Sequence, residues 1–311
     1  MELVRGIENL LSKQRQACVA TLGSFDGVHL GHQQIIQRVN KYAEAHHLKS
    51  AIITTEPLPR EFFTPEKSPP RLTRFRERLE IFTQLGIESV LCLPFNAKLA
   101  AMPAETFVHD ILVGGLNVKH MVCGDDTQFG KDRKGDVRLL TTMGKQLGFT
   151  VESTVTFSHE NDRVSSTRIR EALNSGNMHD AKKLLGRHFH MSGRVSHGDK
   201  RGTGLGYPTA NIHLRRRQTP IMGIFAVEVT GLGPVPNRGV ASVGVRPTFG
   251  GGQCILEVHL FDFAADIYGE HVSVYFHHKL REEQRFPTVE ALVRQMQIDE
   301  NQARAFFAGS P

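Results

Sequence analysis

Apolar residues over the first 185 positions alternate between two rhythms. Continuous runs rich in β-branched residues stand at Ala17–Leu22, Ala51–Thr55, Ser89–Leu93, Lys119–Cys123 and Phe149–Val155, and they read as strands buried on both faces. Between them, Gln33–His46, Arg74–Leu85, Ala104–Val113 and Val137–Leu147 place apolar residues at helical spacing. Strand–helix–strand repetition predicts an α/β domain with a parallel sheet covered on both faces. The stretch Thr55–Pro70 is too rich in proline for an element and reads as a long functional loop. Two amphipathic helices follow, one behind Ser165 and Ser166 and a short one over Asn177–Leu185 that closes the domain.

From Gly186 the texture changes. Met191–Ser196, Gly206–His213, Gly223–Gly231, Val240–Val245, Cys254–Phe263 and Val272–His277 are short strand-like runs split by Gly and Pro. Six of them at regular spacing predict a small antiparallel β-barrel, with Val289–Phe307 as a terminal helix across one face. The shift divides the chain into residues 1–185 and 186–311, and 311 residues are enough for two cores.

Charge and cysteine usage narrow the classes. The N-terminus has no sustained apolar stretch and no segment is long enough to span a bilayer, so a cytoplasmic protein is expected. Cys18, Cys92, Cys123 and Cys254 are far apart in apolar runs, which predicts buried reduced thiols rather than a zinc site or disulfides. A net charge of +6 suits anionic ligands. Nucleic acid is not expected: Trp is absent, and the single basic triplet, Arg215–Arg217, reads as a solvated loop. Oligomeric state is left open.

The candidate chemistry centres on GSFDGVHLGHQQII, Gly23–Ile36. A glycine-rich turn between strand and helix lets backbone N–H groups approach a phosphate, and the helix dipole favours its charge. His29 and His32, three positions apart, can both donate to one polyphosphate. The same four letters also occur in ordinary surface loops, and the flanking strand and helix favour the nucleotide reading. Asp125 and Asp126 end the fourth strand, where a carboxylate pair orients a substrate or a cation, or caps a turn. Ser165 and Ser166 are good N-caps, and Arg168 and Arg170 face whatever anion docks at that helix start. In YPTAN, the Thr209 hydroxyl and the Asn211 amide oxygen are hard ligands suited to Mg²⁺. Glu257 shares a strand face with Ile255, an unusual place for a charge; it is a general base, or a strand glutamate paired with an arginine such as Arg246.

Taken together, the motifs resemble the bacterial bifunctional riboflavin kinase/FMN adenylyltransferase family, also called FAD synthetases. The resemblance is carried by GSFDGVHLGHQ, TEPLPREFF, CGDDTQFGKDRKGD and SSTRIREAL, then by GRVSHGDKRGTGLGYPTANI, SVGVRPTFGGG, LEVHLFDF with IYGE, and LREEQRF. It implies a Rossmann-like nucleotidyltransferase that joins ATP and FMN into FAD, followed by a barrel that phosphorylates riboflavin with ATP and Mg²⁺. Carried over by position, His29, His32 and Arg168 are catalytic, and Gly23, Phe25, Asp26, Gly27, Gly31, Ser165, Ser166 and Thr167 hold ATP phosphates. In the kinase half, Glu257 is the base, Thr209 and Asn211 hold the metal, and Gly198, Gly202, Gly204, Gly206 and Pro208 fold over the nucleotide. Phe62, Asp126, Arg281 and Phe286 are implied flavin contacts. Thr55 stands where an aromatic is usual, Leu58 where His or Gln is usual, and Thr127 where an aromatic is usual. These departures define an alternative, a riboflavin kinase with a weakened nucleotide-binding first domain.

Overall fold

The computed structural model describes residues 1–11, 16–155, 157–159, 162–197, 207–214, 216, 218–246 and 253–309. Two compact units divide the chain, one of Met1–Pro69 with Thr73–Ser165 and one of Pro70–Leu72 with Ser166–Pro311.

In the first unit, strands β1 (Glu2–Arg5), β2 (Cys18–Leu22), β3 (Lys49–Glu56), β4 (Ser89–Pro94), β5 (Val118–Gly124) and β6 (Thr150–Thr154) form one sheet in the order β1-β4-β3-β2-β5-β6. Every neighbour pairing in it is parallel. Helices α1 (Gly6–Leu11), α2 (Leu30–Ala45), α3 (Pro59–Phe63), α4 (Phe75–Gln84), α5 (Ala97–Ala100), α6 (Ala104–Thr106) and α7 (Val137–Leu147) complete it. Two separate hydrophobic clusters flank the sheet, one built on Leu91, Ile111 and Met121, the other on Val19, Ile36 and Phe82. That is what near-continuous apolar strands require when both faces are covered.

The N-terminal strand and α1 were not expected from the sequence, because four residues of β1 carry too little periodicity to be seen. The stretch Thr55–Pro70 is also not element-free. Pro59 and Pro65 each open a short helix, at a position where a missing N–H costs nothing. The helix expected over Ala104–Val113 runs on to Gly115 as a π-helical stretch from Phe107. A two-stranded antiparallel sheet, β7 (Ser158–His159) and β8 (Asp162–Arg163), precedes the unit's end.

The second unit holds α8 (Ser166–Asn174), α9 (Met178–Leu185) and a closed barrel. Its strands are β9 (His190–Ser196), β10 (Ala210–His213), β11 (Gly223–Thr230), β12 (Asn237–Arg246), β13 (Gln253–Leu260) and β14 (His271–Arg281), in the cyclic order β10-β13-β12-β11-β14-β9. All pairings are antiparallel. Phe225, Val227, Val243, Leu256, Val258 and Phe276 are buried in its interior. The terminal helix α10 (Val289–Gly309) buries Ala303 and Phe307 with Ala226 and Phe261, and with the half-buried Val240 and Leu280, on the outside of the barrel. The expected helix and barrel are therefore both present, with β12 and β14 longer than the sequence pattern indicated. All four cysteines are free and buried, and burial pushes the Cys18 and Cys123 thiols up to about 12. They are inert packing groups.

One cluster makes this unit sensitive to acid. The His188 ring lies 3.9 Å from that of His277, whose Nε2 is 3.1 Å from a Glu228 carboxylate oxygen. Burial, then the neighbouring His277 and Lys182, pushes His188 down to about 4. Burial also lowers His277, against the opposing pull of Glu228, with Lys182 and Arg238 adding to the lowering. A histidine held below its unfolded value contributes stability that is complete above pH ~6.5 and is lost as pH falls toward the folded value. The expected outcome is a melting temperature that drops by a few degrees between pH 7 and pH 5, since both rings are only partly screened from water. His188→Gln should flatten that dependence, as read by scanning calorimetry.

Candidate functional site

The order of the parallel sheet decides where a ligand can sit. From β2 the chain winds outward to β3 and β4, then returns to the other side of β2 for β5. Ligands bind beyond the carboxyl ends of the strands where the order reverses. At that edge the segments after β3, β2 and β5 come side by side: the α3 segment, the glycine-rich turn, and Gly124-Asp125-Asp126.

The glycine-rich turn is held in an unusual backbone. Phe25 has φ 49°, Gly27 85° and Val28 40°. For a β-branched residue such as Val28 this region is an outlier costing of order 1–3 kcal/mol. Buried contacts hold it there. Asp26, 5% exposed, accepts from the Thr73 backbone N–H at 3.0 Å, while the Thr73 hydroxyl accepts from Gly27 N–H at 2.9 Å. Asp26 is thus an anchor of the turn from within. Phe25 is 2% exposed and packs edge-on against Phe82 at 5.7 Å.

α2 starts at Leu30, three residues before the predicted Gln33, because His29 itself is the N-cap. Its Nδ1 accepts from His32 N–H at 3.4 Å. A backbone N–H can only donate, so a neutral His29 carries its proton on Nε2. The His29 and His32 rings stack with centroids 3.6 Å apart. Gly31 permits the pair, since a Cβ there would stand 3.3 Å from the His29 ring. The arrangement places two imidazoles at a helix N-terminus, a site chemically suited to an oxyanion.

At the flanking positions, Phe62 is 38% exposed and meets Phe63 and Phe95 edge-on at 5.3 and 5.5 Å, forming an open aromatic patch. The Leu58 N–H donates to Glu61 at 2.9 Å, so at this position the backbone is used as a helix cap. Asp126 forms an exposed ion pair with Arg163 of β8. Ser165 ends the first unit, and Ser166, Thr167 and Arg168 form the first turn of α8 in the second.

In the barrel, strand register builds the other constellation. Glu257 of β13 stands opposite Asn211 of β10 on one side and Ser242 of β12 on the other. The buried positions of β13 are Cys254, Leu256, Val258 and Leu260, so Glu257 lies on the outer, half-buried face with Ile255 and His259. Sharing a face with Ile255 is therefore less anomalous for a charge than the sequence suggested, because that face reaches water. His259 Nδ1–H donates to the Pro208 carbonyl at 3.0 Å, pinning the segment that carries Thr209 beside the strand.

Glu283 follows β14 and its carboxylate accepts from Ser242 Oγ at 3.5 Å. Gly244 makes room for it, since a Cβ would come within 2.4 Å of Glu283 Oε1. Burial, and beyond it the negative charge of Glu257, holds the Glu283 carboxyl above the usual range, while Ser242 and Arg281 pull it back. Arg281 pairs in two-pronged fashion with the buried Asp299 at 2.8 and 2.7 Å, and donates to the Glu282 carbonyl at 2.9 Å. Its guanidinium lies 5.7 Å from the Phe286 ring centre. Gly198, Gly202, Gly204 and Gly206, and Arg215 and Arg217 of the basic triplet, lie outside the described residues.

Thr209 and Asn211 offer neutral hard oxygens, and no group of three or more His, Cys, Asp or Glu among the described residues could hold a metal. Such a donor set suits Mg²⁺ arriving with substrate phosphates rather than a dedicated cage. Sequence reasoning missed Thr73, Ser242, Glu283 and Arg78. Only Arg78 carried a signal, a charge one helical turn from Ile81 and Phe82 on the apolar stripe of α4.

Comparisons with known proteins add to this geometry. A family model described as FAD synthetase matches residues 11–168, and one described as riboflavin kinase matches residues 185–307. A bifunctional riboflavin kinase/FMN adenylyltransferase of Pseudomonas fluorescens is 48% identical, covering 100% of this chain and 99% of its own. That of Escherichia coli strain K12 is 45% identical, over 99% and 98%. Among solved structures, a Streptococcus pneumoniae protein described as a macrolide-efflux protein superposes with a TM-score of 0.84 and 32% identity, over 98% of this chain and 99% of its own. Among the described residues no helix is long and apolar enough to cross a membrane.

Proposed function

The chain belongs to the bifunctional riboflavin kinase/FMN adenylyltransferase family, and on that premise we propose how its residues divide two reactions. It phosphorylates riboflavin to FMN with ATP, and it transfers the adenylyl group of ATP to FMN, releasing pyrophosphate and giving FAD. The observation that carries this is the presence of both family models, one after the other, in a chain that full-length relatives match from end to end. The kinase with a weakened first domain, suggested by Thr55, Leu58 and Thr127, is the less supported reading for the same reason.

Residues 1–185 are assigned to adenylyl transfer and 186–311 to riboflavin phosphorylation. Both reactants of the first are anionic, so alignment and charge neutralisation matter more than a protein nucleophile. His29 Nε2–H and His32 donate to the ATP phosphates at the head of α2, on the turn formed by Gly23, Phe25, Asp26, Gly27 and Gly31. Ser165, Ser166, Thr167 and Arg168 take the phosphates that leave. Phe62 and Asp126 stand on the flavin side.

In the barrel, Glu257 accepts the proton of the terminal ribityl hydroxyl as the oxygen attacks the γ-phosphate of ATP, the bond to the β-phosphate breaks and ADP leaves. Thr209 and Asn211 would hold Mg²⁺, which would supply neutralisation of phosphate charge. The resemblance assigns Gly198, Gly202, Gly204, Gly206 and Pro208 to the nucleotide. Phe286 stacks on the flavin, and Arg281, engaged with Asp299, fixes the segment that carries Phe286. The protein is placed in the cytoplasm, with small molecules as its partners.

Purified protein incubated with FMN, ATP and Mg²⁺ should yield FAD, resolved by chromatography. No FAD above the enzyme-free control would reject the adenylyltransferase assignment.

A further inference from the structure

Arg78 is completely buried, on the face of α4 that packs with Ile81 and Phe82. Taking a guanidinium out of water is unfavourable unless acceptors surround it. Here Nη1 donates to the Ser24 carbonyl and, at 3.3 Å, to Thr54 Oγ1, while Nη2 donates to Glu56 Oε2 at 2.8 Å. The Phe75 ring centre lies 5.5 Å from the guanidinium carbon. Ser24 belongs to the turn that leads to His29, and Thr54 and Glu56 end the strand that leads to α3. One buried side chain therefore joins the two segments that flank the switch-point edge.

That turn needs a restraint. Phe25 and Val28 hold positive φ values that relax unless the surroundings over-determine them. Asp26 and Thr73 clamp the far side of the turn, and Arg78 clamps the near side at Ser24. Glu56 Oε2 gives the guanidinium a fixed counter-charge, and a planar fork holds both segments in one fixed geometry, which the rotatable donors of an ammonium do less rigidly.

We propose that Arg78 is a positioning residue for adenylyl transfer, locking the phosphate-binding turn to the end of β3 so that the imidazoles and the flavin-side helix keep one register. It touches neither substrate and acts through the backbone of Ser24. This rests on the assignment of FMN adenylylation to the first unit, and the second activity of the chain supplies an internal control.

The test compares Arg78→Met, Arg78→Lys and Glu56→Gln in the full-length protein by steady-state kinetics of both reactions. Misplacing a cradle by an ångström costs about 10²-fold, so Arg78→Met should lower kcat for FAD formation by roughly that factor. The KM for ATP should change little and riboflavin phosphorylation should stay at wild-type level. Arg78→Lys should recover roughly tenfold of the loss, and Glu56→Gln should lower the same kcat. The proposal is overturned if Arg78→Met loses only melting temperature with kcat intact, or if its whole loss lies in KM. Should Arg78→Met not fold, a wild-type kcat in Glu56→Gln overturns it equally. Wild-type protein that makes no FAD ends the parent assignment; wild type making FAD with Arg78→Met matching it ends this one alone.

Discussion

Replacing Glu257 by Gln should cut riboflavin-to-FMN conversion by about 10²–10⁴-fold, the usual worth of a general base, and leave FMN-to-FAD conversion near wild type. The substitution preserves shape and removes the proton acceptor. Glu257 stands between Asn211 and Ser242 on the outer face of the barrel, half-buried, so the amide fits without opening the core. Loss of a group that acts only as the bond forms appears in kcat, with KM for riboflavin and ATP little changed. Coupled assays on one preparation, each started from its own flavin, read both activities. If Gln at this position crippled FAD formation too, in protein that still melts normally, the division into two sites would be wrong.

His29→Ala should give the opposite pattern, a loss on the order of 10²–10³-fold in FAD formation with riboflavin phosphorylation intact. That is the typical cost of one donor aimed at developing charge. The structure adds a complication that the sequence did not show, because His29 also caps α2 through Nδ1. Removing a cap costs about 0.5–2 kcal/mol of stability, and a frayed first turn would displace His32 as well. His29→Asn separates the two effects, since Asn is a good cap but lacks the imidazole donor. The expected result is that Asn restores the melting temperature and leaves the rate deficit. Full recovery of rate by Asn would mean that the imidazole serves only the helix end.

Much of the chain was legible because its signals are local. Buried parallel strands, amphipathic helices and a glycine-rich turn before a helix are patterns within about 15 residues, and each is set by side-chain period or backbone freedom. The short pieces escaped: β1 has only four residues, and α3 sits in a proline-rich stretch where two of the prolines turn out to start helices. Glu257 was picked out by an argument about its strand face that the barrel revises, since that face is partly open to water. The parts of the site that act through other residues were the least visible. Thr73 looks like any loop threonine until its hydroxyl meets Gly27, and Glu283 like any surface glutamate until β12 passes beside it.

By itself the sequence determined the longer elements and which chemical groups they present: imidazoles at a helix start, a carboxylate on a strand, hard oxygens in YPTAN. Those are consequences of neighbours along the chain. Tertiary structure alone decided which of them meet. The reversal of strand order at β2 sets the turn of His29 beside the ends of β3 and β5, and barrel register sets Glu257 opposite Asn211. Pairing between distant strands depends on closing long loops around a shared core, a cooperative balance over many residues that no short window of sequence contains.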